Sequence, residues 1–421
     1  MPTEIGTAKH NFYSFYIMTQ KETKTSQGSS KTYIVATAFL SLFAIVGIAF
    51  YGLPFFFDFM TQDFGWSRAT VTSGNALAKL IVAPAFGFIA GWLIDRYGPR
   101  RLMLIGSVFM GVALIGLGFT GGSLVLFYLF YFFNALGYVF GGPLPCQVLI
   151  SRWFEKNRGK AMGIAYLGIG VGGTLVPQLA RKLESGFGWN MALALLGVLI
   201  IVSSVPLVLF IRQPRKTEET EKKAAPEAVS IKSILTNRNF YLLGFGSMCS
   251  IGVNGGIVSH LKLYMSDINF MQEQAANIMS LLLMGSLIGR VLMGWLADLF
   301  PRKRVMMLIY LMGAFAIPLL MLPDFPGRLT IFAFIYGIAL GGDYMIIPLM
   351  AGDLFGIRAL GRTMGIILVV DGVAESMLPM LVGHTHDATG NYMLGFSILI
   401  AVALTGALII SFLPKKGPFA K

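Results

Sequence analysis

Four ionisable residues interrupt apolar runs in the second half of the chain: Arg290, Asp343, Asp371 and Glu375. A charge deep in a spanning helix costs about 2.5–3.5 kcal/mol on insertion scales, so it normally faces a cavity or a partner and marks a site. Arg290 precedes Asp298 by eight residues, about 12 Å of helical rise, which is close to the midplane of a layer whose half-thickness is about 15 Å. By the same measure Asp371 lies about 13 Å past Arg362, Glu375 one turn further, and Asp343 about 15 Å before Asp353. A guanidinium offers a fixed donor fork that matches a carboxylate with two hydrogen bonds and never loses its charge. Asp371 and Glu375, spaced i, i+4, share one helix face. Two acids there cannot both be ionised at low cost, so the pair is a candidate proton carrier.

Each residue has a plainer reading beside the chemical one. Arg290 can neutralise an acid of a neighbouring helix, and an arriving anion that displaced that acid would leave it to take up a proton, so the two readings are compatible. Asp371 and Glu375 can be structural partners of Arg290 or of backbone. Asp343, in "GGDYMIIP", aligns roughly with "GGPLP" (141–145) in helix 4, where Gly and Pro loosen the helix, and can serve only to satisfy freed backbone amides. His260, after the flexible "GVNGG", can sense pH or help bind an anion, or simply hydrogen-bond at an interface. Asn134 and Tyr138, one turn apart, can bind substrate or join helices. Lys79 can snorkel to the outer interface or form part of an electropositive funnel.

These residues need rigid elements to hold them. The chain is 55% hydrophobic and only 13% charged, with mean hydropathy +0.71, against about 25% charged in soluble domains. It is read as an all-α integral membrane protein. Twelve candidate spans follow, near 33–57, 70–94, 102–120, 123–150, 160–183, 190–211, 239–264, 274–297, 304–322, 328–351, 363–383 and 392–412. The expected organisation is an N-terminal tail (1–32), a six-helix bundle (33–211), a hydrophilic linker (212–238), a second bundle (239–412) and a short tail (413–421). The first 30 residues lack a cleavable apolar core, and Met18 is an alternative start.

The net charge of +13 does not indicate nucleic acid, because the basic residues punctuate the apolar runs instead of forming one face. With the N-terminus inside, 26 Lys and Arg fall on the cytoplasmic side and five outside, which predicts both termini and the linker in the cytoplasm of a multi-pass cell (inner or plasma) membrane protein. Cys146 and Cys249 both lie in apolar runs and suggest neither a disulfide nor a metal site. Four His residues do not suggest a metal site either, and no cofactor is expected. No G-x-x-x-x-G-K-[ST] loop occurs, so the expected energy source is a gradient.

A charged phrase occurs twice. "GWLIDRYGPRR" (91–101) follows span 2 and "GWLADLFPRKR" (294–304) follows span 8, at an offset of 203. "RGKAMGI" (158–164) and "LGRTMGI" (360–366) repeat at an offset of 202. Repeats at nearly one offset predict two homologous six-helix halves, as in transporter folds. The phrase itself predicts a gate. Asp95 would meet a basic residue such as Arg152 or the N-terminus of helix 11, Arg96, Arg100 and Arg101 would hold the inner interface and anionic lipid, and Asp298 would act in the second copy. Leu299 stands where the first copy has Arg96, so the latch at Asp95 is expected to be the stronger.

The repeated loop, of form G-x-L-x-D-R-x-G-x-R-R, and the 6 + 6 plan resemble the major facilitator superfamily over about residues 33–412. Within it, "FGWSRA" (64–69), "RWFEKNRGKAMGIA" (152–165) and "IGRVLMGWLAD" (288–298) resemble the monocarboxylate porter group, with oxalate–formate exchangers as neighbours. The resemblance implies that Arg290 is the anion anchor and that His260 contributes to the site. It also shows departures. Ser286 stands where animal porters have an acid one turn before the arginine, and helix 1 lacks their lysine. Helix 11 carries acids where the exchangers have a lysine, which favours a substrate with one negative charge. The implied function is alternating-access transport of a small monocarboxylate, lactate- or pyruvate-like, with a proton, by a monomer. A proton-independent exchanger, another organic-anion or drug transporter, and a transport-dead sensor are the alternatives. An enzyme is not expected, since no nucleophile–base pair falls at one depth.

Overall fold

In hydrocarbon a chain must satisfy every backbone N–H and C=O within itself, and a helix does so. The computed structural model describes residues 30–211 and 231–418, and long helices fill them, with no strand among the described residues. In order they are α1 (Ser30–Phe64), α2 (68–97), α3 (Pro99–Gly118), α4 (Leu124–Trp153), α5 (Arg158–Phe187), α6 (Trp189–Leu209), α7 (Arg238–Asp267), α8 (Gln272–Leu299), α9 (Arg302–Leu320), α10 (Arg328–Phe355), α11 (Leu360–Thr389) and α12 (Met393–Ser411). Eleven are long and apolar enough to cross a membrane. The twelfth, α2, is divided into Arg68–Ala76, Leu77–Val82 and Ala83–Tyr97. A short helix, Ile231–Leu235, lies inside the stretch expected to be linker. Met18, most of the linker and the side chain of Lys79 fall outside the described residues.

Most helices outrun their apolar segments because local chemistry carries them on. Ser67 and Ser123 cap α2 and α4 by accepting from the amides of Thr70 and Leu126, which satisfies donors that a helix start leaves over. Pro143 starts the second segment of α4, where Gly142 leaves the helical conformation. The sequence "GGPLP" thus bends the helix.

The buried apolar residues show how the halves meet. At the end of the bundle that carries Asp95 and Asp298, one continuous cluster joins both halves, from Ile94, Leu149 and Met162 to Met293, Leu354 and Met364. Toward the far end the core splits into clusters that each stay within one half. Ile45, Phe56 and Trp189 belong to the α1–α6 cluster, and Ile257, Leu329 and Phe396 to the α7–α12 cluster. Glycines make the joined end tight. A Cβ on Gly91 would lie 2.2 Å from the Gly361 carbonyl oxygen, and one on Gly159 would lie 2.2 Å from that of Gly294. Small residues at these crossings let the backbones touch.

Candidate functional site

Where the joined end gives way to the split end, Arg290 crosses from α8 to α5. Its Nη1 donates to the carbonyl oxygen of Tyr166 at 2.7 Å. Two glycines of α5 make room for it: a Cβ on Gly163 would meet the Arg290 carbonyl oxygen at 2.3 Å, and one on Gly170 would lie 3.3 Å from Nη1. No carboxylate pairs with the Arg290 guanidinium among the described residues.

Around it gathers a set of tyrosines. Tyr51 of α1, Tyr166 and Tyr344 of α10 lie within electrostatic range of Arg290, and Tyr51, Tyr138 and Tyr344 within that of Glu375. Tyr51 and Tyr138 keep 42% and 38% of their surface accessible although both stand between the halves, so they line a water-accessible space. The Phe50 ring lies 6.2 Å from that of Tyr138. Tyr344 Oη donates to Glu375 Oε1 at 3.5 Å. Among the described residues the site therefore comprises one fixed cation at the floor, hydroxyls on the walls, and one acid of α11. It can hold a small anion beside a group able to take a proton.

Sequence reasoning missed Tyr51, Tyr166 and Tyr344. A tyrosine in an apolar run reads as ordinary core, and only Tyr344, next to Asp343, carried a signal.

The two other acids face elsewhere. Asp371 is buried and its Oδ1 accepts from Ser247 Oγ of α7 at 2.7 Å. Asp343 Oδ2 accepts from Ser250 Oγ and Asn254 Nδ2, both at 2.7 Å, while Tyr336 Oη donates to Asn254 Oδ1 at 2.8 Å. The i, i+4 spacing thus leads Asp371 and Glu375 to different neighbours, since α7 supplies a hydroxyl to the first and α10 a phenol to the second. His260 lies between α11 and α12, 2.9 Å from the Pro379 carbonyl oxygen and 3.2 Å from Tyr392 Oη. Asn134 donates to Met110 Sδ at 3.2 Å, which joins α4 to α3. The structure brings Arg290, Tyr138 and Glu375 together; it does not bring His260, Asn134 or Asp343 to that cluster, and Asp371, although within electrostatic range of Glu375, is turned to Ser247.

The repeated phrase forms a cross-connected pair of helix caps. Asp95 accepts from the Gly361 and Arg362 amides at 3.1 Å each, at the start of α11. Asp298 accepts from the Gly159 and Lys160 amides at 2.8 Å each, at the start of α5. A carboxylate is favoured there by the free amides and the helix dipole. The expected inequality differs in kind: Asp95 adds an ion pair to Arg362 Nε at 3.5 Å, whereas Asp298 has the shorter bonds. Leu299 does not weaken the second cap, because the partners are backbone amides. Arg152 donates to the Ile94 carbonyl oxygen, Arg100 to that of Leu209, and Arg96 and Arg101 lie over the Tyr97 ring. These arginines brace the first half internally.

Comparison with known proteins adds to this geometry. A family model described as Major Facilitator Superfamily matches residues 39–282 and 243–421. Human monocarboxylate transporter 11 is 27% identical over 391 residues, covering 89% of this chain and 79% of that protein. Rat monocarboxylate transporter 13 is 24% identical over 394 residues, covering 90% and 88%. A crystal structure of the Escherichia coli fucose:proton symporter FucP superposes with a TM-score of 0.71 at 16% identity, over 90% of this chain and 98% of that one.

Proposed function

The chain belongs to the major facilitator superfamily, a family of multi-pass membrane transporters and not of enzymes, and from that premise we propose that it carries a small monocarboxylate together with a proton by alternating access. The observation that carries this reading is the Arg290 guanidinium, mid-bundle and bonded only to a neutral carbonyl among the described residues. A charge so placed is costly without a counter-ion, and a carboxylate supplies one with two matched hydrogen bonds. One cation, Arg290, among the described residues of the site favours a substrate with one negative charge. The monocarboxylate transporters among the relatives support the same substrate class.

In this reading the anion enters from the far end, taken as extracellular on the distribution of Lys and Arg, and binds Arg290. Tyr51, Tyr138 and Tyr344 donate to its remaining oxygens. Glu375 takes the proton, which removes the one negative charge facing the bound anion. The neutral assembly then permits the Asp95 and Asp298 caps to release at the cytoplasmic end. His260, held by α11 and α12, positions the outer part of α7, and Asp371 tunes the face of α11 behind Glu375.

Uptake into proteoliposomes under an imposed pH gradient, with labelled lactate, pyruvate, acetate and oxalate, tests the reading. Accumulation of a monocarboxylate above equilibrium is expected. No gradient-driven accumulation of any monocarboxylate would contradict proton symport, and exchange without accumulation would make the protein an exchanger.

A further inference from the structure

Behind the wall of the cavity, α7, α9, α10 and α12 enclose a small chamber lined by Ser250, Asn254, Tyr310, Tyr336, Asp343 and Ala403. Asp343 and Tyr344 are neighbours on α10 but face opposite ways. Tyr344 reaches Glu375 in the cavity, and Asp343, 0% exposed, faces the chamber. One carboxylate oxygen of Asp343 is fully engaged by Ser250 and Asn254. The other, Oδ1, has no hydrogen-bond partner among the described residues. The buried Tyr310 hydroxyl stands beside Ser250 but completes no hydrogen bond of normal geometry there. Both line a chamber that leaves about 10 Å³ for the centre of a water molecule.

That is the room one water needs, and a buried water requires two to four polar partners. The chamber supplies Asp343 Oδ1, Tyr310 Oη, and the unused lone pairs of Ser250 Oγ and Tyr336 Oη. The electrostatics decide the state of the acid. α7 contributes Ser250, Asn254 and Cys249, α9 Tyr310, α10 Tyr336 and α11 Asp371 with Glu375 beyond it, while α12 contributes no titratable group. No Lys, Arg or His pairs with Asp343 among the described residues, and the nearest charged neighbours are acids. An ionised carboxylate in dry surroundings without a counter-charge is far costlier than a neutral acid that keeps its hydrogen bonds.

We propose that Asp343 carries a proton and shares it with one water molecule in this chamber, a proton site separate from the substrate cavity. The Asp343 hydroxyl and the Tyr310 hydroxyl donate to the water, and the water donates to Ser250 and Tyr336. The neutral acid thereby pins α7 to α10 through Ser250 and Asn254. The site goes beyond the transport reading and does not depend on which anion is carried.

Infrared spectroscopy of the full-length protein in lipid, at neutral pH and in sodium-free buffer, reads the carboxyl group directly. The expected result is a protonated-carboxyl carbonyl band that moves in D2O and is absent from Asp343→Asn. Tyr310→Phe should fold and should move that band, because the water loses a partner. No band that depends on Asp343 would overturn the proton assignment, and a band unmoved in Tyr310→Phe would overturn the water. A band present without sodium but lost on adding it, with sodium raising the melting temperature of the wild type only, would make the occupant a sodium ion and also overturn the proposal. Should Asp343→Asn fail to fold, Tyr310→Phe still decides. These outcomes are independent of any uptake assay, so failure here and failure of monocarboxylate transport are told apart.

Discussion

Arg290 of α8 donates to the Tyr166 carbonyl oxygen of α5, a hydrogen bond that crosses from one half of the chain to the other. The cation proposed to bind substrate is thus also a tie between the moving parts. A carboxylate that takes over its donor fork changes the attachment of the halves, which links occupancy to motion without a further device.

Glu375 faces the tyrosine-lined cavity and Asp371 faces Ser247, so their amide variants should differ. Glu375→Gln should abolish pH-driven accumulation while leaving substrate exchange within about threefold of wild type, taking about 0.6 kcal/mol as tolerable. Asp371→Asn should retain most accumulation. Equal loss in both variants would show that the acids act as one unit.

Removing either aspartate cap should open the joined end of the bundle. An N-cap is worth about 0.5–2 kcal/mol, so Asp95→Ala and Asp298→Ala should each shift the closed population several-fold, read by the distance between spin labels across that end. Gly91→Ala should do the same by sterics, since its Cβ would sit 2.2 Å from the Gly361 carbonyl oxygen. Unchanged distances would mean that the caps do not hold the closed form.

The closed end should also respond to pH through Asp95. Burial pushes its carboxyl up to about 6 from the ordinary 3.8, outweighing the Gly361 and Arg362 amides and the Arg362 and Arg152 guanidinium groups, which pull it down. The closed form therefore binds more protons than an open form with an exposed carboxyl. Closure should weaken as the pH on the side of that end rises from 3.8 to about 6 and level off above. Asp95→Asn, a competent cap without the charge, should remain closed and lose this dependence, as the same spin labels would report.

Gly341→Ala tests the packing of α8 on α10. The added Cβ would lie 2.0 Å from the Ser286 carbonyl oxygen, and overpacking of this kind costs about 1–3 kcal/mol. A fall in melting temperature of several degrees is expected, and an unchanged value would show that the helices can part there without cost.

Hydropathy made the spans legible, because a helix is the only economical course for an apolar run in lipid. Arg290 stood out as the lone basic residue in the middle of its span. The echo of "GWLIDRYGPRR" revealed the two halves. What stayed hidden was partnership. Asp95 meets the start of α11, one of the two partners expected for it, but the Gly159 and Lys160 amides that hold Asp298 were marked by no residue letter. Asp371 and Glu375 share a helix face by spacing, yet their partners come from different helices. Asn134 meets Met110, and Tyr51 and Tyr166 carry no charge to mark them. The bend at Gly142 and Pro143 was legible, and the helical turn Ile231–Leu235 in the hydrophilic stretch was not.

Equilibrium binding of labelled lactate or pyruvate to purified wild type, Arg290→Lys and Arg290→Ala reads whether Arg290 binds the substrate carboxylate. Hydrogen bonds to a charged group are worth about 1.5–3 kcal/mol each, at about 1.4 kcal/mol per tenfold. Arg290→Lys, which keeps the charge and loses the fork, should therefore bind roughly tenfold more weakly, and Arg290→Ala about 100-fold or more. Wild-type affinity in correctly folded Arg290→Ala would contradict the account.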